Sequence, residues 1–529
     1  MPPEIPAPLP QAFNVATHFI DRPAQEHPGR VAIVGEPAAV TYAELSLLVN
    51  RVGNALRGSK RQPGERVLIV LPDSAEFIAS FFGAAKIGAV AVPVNPMTRS
   101  ADYAYFLADS GARVAIVHSA ALAEFLPAVQ GTPLERVVLV GTSPSAPPEA
   151  SAPVEFLNWI PWTQAGSIEL PPYRTAASDT AFFLYTSGSG GQPKAAVHQH
   201  KDMLITSRGF AAGVLGLRPD DRTLSVSKLF FAYGLGNGMY FPFSVGASTV
   251  LNPDRPRADR IIDLVARHKP TVFFAVPTFY AALLREVDSG VAADFASVRL
   301  AVSAGEMLPP KIFEQFRKKF GLEILDGIGS TEMLHMFCSS RPGQARPGSC
   351  GVEVPGYEAR IVDDTGQPAL PGEIDNLWVK GESAFAGYWN KPELTARTKR
   401  GEWVVTGDKF FRDADGYYHY CGRADDMMKV AGMWVSPGEV ENVLLGHPAV
   451  AEAAVVGAID SAGLTRSVAY VVLRAGGEGS AELAEEIREF ARTRLVGYKC
   501  PQEVRFQAEL PKTATGKIQR FRLREAARG

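Results

Sequence analysis

The chain has 529 residues, a formal net charge of -2 and an apolar fraction of 46%. That is ordinary globular composition at a length that allows two or more domains, with cores large enough to need no disulfide or metal staple. The near-neutral charge argues against binding to nucleic acid or to an anionic membrane, and the four cysteines, Cys338, Cys350, Cys421 and Cys500, form no CxxC pair that would suggest a zinc or thioredoxin-like site.

The opening MPPEIPAPLPQAFN has no basic region ahead of an apolar core, so it does not read as a signal peptide. Its first dozen residues are expected to be a proline-rich tail that orders only on docking. TYAELSLLVNRVGNAL predicts an amphipathic helix, with Thr41 as N-cap and Glu44 completing a capping box. ERVLIVLP then predicts a buried strand, Phe77 to Lys86 a helix, and AVAVPVN another strand. The apolar run FIASFFGAAKIGAVAVPV is interrupted by Lys86 and closed by Pro93, too broken to span a bilayer. With scattered reduced thiols, this reads as a cytoplasmic protein with no membrane partner. Apolar strands alternating with helices imply parallel sheets covered on both faces, hence an α/β fold. GTSPSAPPEASAP is a surface loop by composition. GQPALPGEIDNLWVKG predicts short antiparallel strands. Past Gly422 the pattern turns charged and glycine-punctuated, and a compact α+β unit follows: EVENVLLGHPAV as helix, EAAVVG and VAYVVL as strands, AELAEEIREFARTRL as helix. The boundary is placed near Asp425, dividing residues 1–424 from 425–529.

Chemistry first shows in Tyr185-Thr-Ser-Gly-Ser-Gly-Gly-Gln-Pro-Lys194, after the strand-like AFFLY. Thr186, Ser187, Gly188 and Ser189 leave backbone N–H groups free to face phosphate oxygens, and Lys194 adds a positive charge. It is not a Walker A loop, because Pro193 precedes the lysine and Ala195 follows it. Taken alone, it is also readable as a flexible turn.

The loop resembles the phosphate loop of the acyl-adenylate-forming superfamily, which includes acyl- and aryl-CoA ligases, luciferase and nonribosomal adenylation domains. It departs from that pattern at Gly190, where the family has threonine, and at Ala195, where it has glycine. Further blocks are similar to family segments and follow in family order: AAKIGAVAVPVNP, Asp326-Gly-Ile-Gly-Ser-Thr-Glu332, PGEIDNLWVKGESAFAGYWNKPELT, Trp403-Val-Val-Thr-Gly-Asp408, Gly422-Arg-Ala-Asp-Asp-Met-Met-Lys-Val-Ala-Gly432 and Pro511-Lys-Thr-Ala-Thr-Gly-Lys517. The resemblance implies a large N-terminal domain of layered αβ sheets with a small β-barrel-like subdomain, and a small mobile C-terminal domain.

It also implies ATP, Mg²⁺ and coenzyme A as cofactor and co-substrates. Adenylation joins two anions that repel each other, so the site must neutralise and align them. Glu332 is implied as the Mg²⁺ ligand and Thr331 as an α-phosphate contact. Asp408 would accept both ribose hydroxyls, and Arg423 would offer a donor fork. Asp326, Gly327, Ile328 and Gly329 would edge the adenine, together with the turn Ser303-Ala304-Gly305-Glu306. Lys517 is the family's catalytic lysine, bridging the acyl carboxylate and the α-phosphate. For thioester formation the small domain would pivot at Asp425 and present Lys429, Gly432 and Trp434 to the pantetheine tunnel, although Trp434 could equally pack in the small-domain core. No enzyme nucleophile is needed, because the CoA thiol attacks.

The acyl pocket falls on Lys228-Leu-Phe-Phe-Ala-Tyr-Gly-Leu-Gly-Asn-Gly. Phe231, Ala232, Tyr233 and Gly234, with Gly327, suggest a short aromatic slot suited to a flat ring, or else ordinary core. His335 is either another wall or a hydrogen-bonded structural histidine. The wording of this segment and of GSTEMLHMF resembles bacterial benzoate-CoA ligases. The implied reaction is benzoate, ATP and CoA to benzoyl-CoA, AMP and diphosphate. Substituted benzoates and short or medium-chain fatty acids are the alternatives, and a carrier-protein-directed adenylation enzyme is a further one. A homodimer is left open.

Overall fold

The computed structural model describes residues 10–35, 38–59, 62–141, 154–186, 192–363, 365–430, 433–459, 465–474, 477–512 and 518–527. The expected capping box is present: the Thr41 hydroxyl accepts from the Glu44 N–H, and the Glu44 carboxylate accepts from the Thr41 N–H. The helix Tyr42–Gly58 follows. Ser74 caps the next helix, Ala75–Lys86, by accepting from the Phe77 N–H.

Two large sheets form among the described residues. One has eight strands in the order Gly387–Tyr388, Lys194–Gln199, Thr180–Thr186, Val90–Pro93, Arg66–Val70, Val114–His118, Arg136–Val140 and Glu155–Asn158. It is parallel from Thr180–Thr186 onward. The other has nine strands, and Ile324–Gly329, Leu300–Ser303, Val272–Ala275, Arg222–Ser225, Ser248–Val250 and Val31–Val34 form its parallel centre. The apolar strand sequences follow from burial on both faces. In Arg66–Val70, Val67 and Ile69 enter the core shared by the two sheets, while Leu68 and Val70 enter a separate outer core.

Helices Tyr42–Gly58 and Ala75–Lys86 lie within the shared core, whose members include Leu45, Val49, Phe77 and Phe81 alongside Val272, Phe274 and Val302. They approach closely at two glycines: a Cβ on Gly83 would lie 3.1 Å from the Gly53 nitrogen, and one on Gly53 would lie 3.1 Å from the Gly83 carbonyl oxygen. Lys86 is buried at the end of its helix. Its ammonium donates to Asp21 Oδ1 and to Asn50 Oδ1, each at 2.6 Å.

The chain joins the fold earlier than the expected dozen-residue tail. Ala12 bridges to Ala176, and the Gln11 carbonyl accepts from the Ala177 N–H at 3.1 Å. Backbone pairing orders this stretch before Phe13 and Val15 enter the core.

Strands Tyr357–Val362, Asp375–Gly381, Lys399–Arg400, Trp403–Arg412 and Tyr418–Arg423 make a five-stranded antiparallel sheet. Beyond it, Met428–Val430 pairs with Met433–Val435, and helix Pro437–Leu444 follows. Val450–Ile459 and Thr465–Leu473 pair antiparallel, with Glu503–Phe506 parallel to the second. Helix Ala481–Arg492 buries Ile487 and Ala491 in a core that begins at Met428 and shares no buried residue with the larger one. Asn442 Nδ2 lies 3.8 Å from Met307 Sδ, and Lys311 donates to the Leu445 carbonyl at 3.4 Å, so this unit touches the segment after Ser303. No described helix is long and apolar enough to cross a membrane.

The Lys86 contacts predict an asymmetry. Asp21→Ala leaves an ammonium buried without its carboxylate and should cost about 3 kcal/mol in urea unfolding. Lys86→Met should cost clearly less, because Asp21 retains some solvent contact. Equal losses would refute the burial argument.

Candidate functional site

Open α/β sheets bind ligands beyond the carboxyl ends of their strands, and the nine-stranded sheet delivers several predicted residues there. Ser303 ends its strand and pairs in register with Asp326 on the neighbouring one. Ser303 and Ala304 are buried and Gly305 is exposed. Glu306 accepts from the Thr278 N–H at 3.2 Å, at the start of helix Pro277–Asp288. The Asp326 carboxyl is pushed well above its ordinary value by burial, against the opposing pull of the nearby Ser303 hydroxyl and of the N–H groups of Gly327 and Leu308. Gly327 pairs with Ser339 and Gly329 with Met336 on an antiparallel return. Every residue from Ile328 to Glu332 is half-buried.

The eight-stranded sheet contributes Thr186 and Lys194, opposed in register at the ends of two antiparallel strands. Ser187, Gly188 and Ser189 lie outside the described residues. The Lys194 ammonium stands 3.4 Å from Glu332 Oε1 and donates to the Tyr388 hydroxyl at 2.6 Å. That hydroxyl donates in turn to Glu332 Oε1. Strand Gly387–Tyr388 adds to Lys194–Gln199, which places the phenol. Burial alone would raise the Glu332 pKa, but the Lys194 charge and the Tyr388 hydrogen bond overcome it and hold the carboxylate below its usual value. The Tyr388 hydroxyl is pushed up by burial and by Glu332, while Arg423 opposes that shift, which places its guanidinium within electrostatic reach.

Arg423 faces Asp408 across two antiparallel strands and donates to its Oδ1 at 3.1 Å. Between Thr406 and Asp408, Gly407 has φ +75° and lies under the same guanidinium, whose Nη2 would stand 3.0 Å from an added Cβ. The positive φ is what calls for glycine there. Asp425 is exposed, and its carbonyl meets Arg524 Nη1 at 3.5 Å. Lys429 and Trp434 are register partners in the Met428–Val435 hairpin. Gly432 and Lys517 lie outside the described residues.

In the predicted acyl segment, Phe231, Ala232 and Tyr233 are half-buried, whereas Phe230 and Gly234 on either side are buried. The Tyr233 hydroxyl donates to the Val302 carbonyl at 3.3 Å, tying this segment to the strand that ends at Ser303. His335 is buried among Phe210, Tyr233 and Phe241, with ring centroids 5.2, 5.5 and 4.5 Å away. Burial lowers its pKa to about 3, so the ring is neutral. Nε2 lies 3.2 Å from Asn237 Oδ1, and because that oxygen only accepts, Nε2 carries the proton. His335 is thus a hydrogen-bonded histidine set among aromatic rings, as its second reading expects.

The model of the AMP-binding enzyme family matches residues 20–389, and that of its C-terminal domain matches residues 439–517. The chain belongs to the AMP-binding enzyme family. It is 41% identical over 522 residues to a benzoate–CoA ligase of Thauera aromatica, covering 98% of this chain and 97% of that one. It is 40% identical to a 4-hydroxybenzoate–CoA/benzoate–CoA ligase of Rhodopseudomonas palustris, covering 98% and 95%. Among solved structures, the anthranilate CoA ligase AuaEII in complex with anthranoyl-AMP superposes with a TM-score of 0.91 at 40% identity, covering 98% of each chain. A benzoate CoA ligase from Burkholderia xenovorans LB400 gives 0.86 at 41%, covering 97% and 100%.

Two features of this AMP-binding enzyme went unread in its sequence. Tyr388 sits in the GYW segment, but only strand pairing shows that its hydroxyl joins Lys194 to Glu332. His198 contacts the Thr331 carbonyl from the opposite sheet, and Asp202, four residues on, holds its other ring nitrogen. Among the described residues no group of three or more His, Cys, Asp or Glu could hold a metal ion. A lone carboxylate kept ionised fits Mg²⁺ that arrives on a triphosphate, since that ion takes one or two carboxylates with phosphate oxygens.

Tyr388→Phe removes the hydroxyl shared by Lys194 and Glu332. ATP–diphosphate exchange should fall about tenfold, the equivalent of one charge-assisted hydrogen bond, with an unchanged melting temperature. Exchange at the wild-type rate would refute a working role for this cluster.

Proposed function

We propose that the protein is an ATP-dependent aryl-CoA ligase whose leading substrate is benzoate. The observation that carries this reading is a charged cluster, Lys194–Glu332–Tyr388, just past the strand Ile324–Gly329, together with the half-buried run Phe231–Tyr233, whose Tyr233 hydroxyl reaches the Val302 carbonyl on the neighbouring strand. One can hold phosphate and the other a flat ring. The benzoate carboxylate attacks the α-phosphorus of ATP, the bond to the β-phosphate breaks, and diphosphate leaves. The CoA thiol then attacks the acyl carbonyl, loses its proton, and AMP departs with the bonding pair.

In this reading Lys194 neutralises phosphate oxygens, and Thr186 and Thr331 orient them. Asp408 accepts from the ribose, with Arg423 holding that carboxylate in place. Glu332 is the residue that would hold Mg²⁺, which supplies positive charge to the triphosphate. Lys517 bridges the two anions during adenylation. Rotation about Asp425 then withdraws it and brings Lys429, Gly432 and Trp434 towards the pantetheine arm. Hydroxy- and aminobenzoates are the second reading, favoured by the polar His335–Asn237 pair among the aromatic rings.

A panel of acids assayed for CoA-dependent AMP formation should rank benzoate first, with monosubstituted benzoates separated from it by about one to two powers of ten or less. Preference for hexanoate or octanoate would refute the aryl reading. Lys517→Ala should lower adenylation by roughly 10²–10³ while largely sparing thioester formation from supplied benzoyl-AMP. Near-wild-type adenylation in that variant would overturn the assignment of Lys517.

A further inference from the structure

Strand Lys194–Gln199 meets the Thr331–Glu332 peptide twice. At its start Lys194 faces the Glu332 carboxylate. Near its end His198, fully buried, places Nε2 2.8 Å from the Thr331 carbonyl, across 133 residues of sequence. The other ring nitrogen, Nδ1, lies 2.9 Å from Oδ2 of Asp202, which is also fully buried. The same Oδ2 accepts from the Gln199 N–H at 2.9 Å. The imidazole stacks on Phe182, with centroids 5.0 Å apart and planes at 17°. On the other side of the peptide, the Phe385 N–H donates to the Glu332 carbonyl at 2.7 Å.

We propose that His198 and Asp202 are positioning residues for adenylation, holding the Thr331–Glu332 peptide so that its two side chains face the triphosphate; this rests on the ligase reading above. The proton inventory supports it. A carbonyl oxygen only accepts, so Nε2 must carry a proton whatever the charge of the ring. Nδ1 must then either donate to an ionised Asp202 or accept a proton shared with it, and both arrangements keep Nε2–H aimed at Thr331. The carboxyl thus selects the ring orientation through the nitrogen that does not touch the peptide, as an outer partner does for a functional histidine. Phe182 prevents the ring from turning, and the Gln199 N–H fixes Asp202.

An amide at position 202 cannot do the same. If its oxygen accepts from Gln199, it also draws the proton to Nδ1, and a neutral ring then presents a lone pair to the Thr331 carbonyl. If its nitrogen takes that place instead, it meets the Gln199 N–H donor to donor. The near-isosteric Asp202→Asn should therefore release the peptide with little change in packing volume.

The test compares wild type, Asp202→Asn and His198→Ala in two half-reactions, with thermal melting as the check on folding. ATP–diphosphate exchange with benzoate should fall roughly tenfold to hundredfold in both variants, the scale of a misplacement near 1 Å. Thioester formation from supplied benzoyl-AMP and CoA should fall clearly less, since the diphosphate that Glu332 serves has already left and only the Thr331 contact to the α-phosphate remains. Exchange within about twofold of wild type, or equal losses in both half-reactions, would overturn the inference while leaving the ligase reading intact. If His198→Ala does not melt cooperatively, Asp202→Asn decides alone. Wild type that activates no acid in the panel would overturn the ligase reading and this inference with it.

Discussion

The contact on which the site depends is the ion pair between Lys194 and Glu332, closed by the Tyr388 hydroxyl. Its members come from different sheets. Lys194 begins a strand of the eight-stranded sheet, while Glu332 follows the last parallel strand of the nine-stranded one. The shared core fixes the separation of the sheets through close-packed aliphatic and aromatic side chains. A rigid core of that kind lets two charges meet at a surface cleft without either having to travel. Partial burial strengthens the attraction, and the phenol supplies a hydrogen bond that favours the ionised carboxylate.

The surroundings of His335 follow a different logic. There the chain places aromatic faces, a neutral histidine and a small amide, with charge excluded by burial. Tyr233 is tied by its hydroxyl to the Val302 carbonyl, on the strand beside the one that leads to Glu332. Relatives of similar identity are named for benzoate, hydroxybenzoates and anthranilate. Those acids differ by one small polar group at the ring, where a modest change in wall residues suffices.

Local chemistry was legible wherever it depended on neighbours in the chain. The Thr41–Glu44 capping box and the apolar strand ERVLIVLP behaved as their sequences predict, because caps and side-chain alternation act within a few residues. Lys86 looked like an interruption of an apolar run, yet its ammonium finds Asp21 in the core. Nothing near Lys86 in sequence announces a partner 65 residues away. The expected tail lies mostly outside the described residues, and only its end differs: backbone pairing to Ala176 and Ala177 begins at Gln11.

The ordered blocks Tyr185–Lys194, Asp326–Glu332, Trp403–Asp408, Gly422–Gly432 and Pro511–Lys517 determined by themselves that this chain is built to handle a nucleotide and an acid. Residue type and order carry that information without coordinates. Only the tertiary structure decided that Tyr388 completes the Lys194–Glu332 pair, that Arg423 braces Asp408, and that His198 grips the Thr331 carbonyl. Each of these contacts depends on strand register and on the spacing of two sheets. Register is a property of paired strands, and no single strand's sequence contains its partner's position.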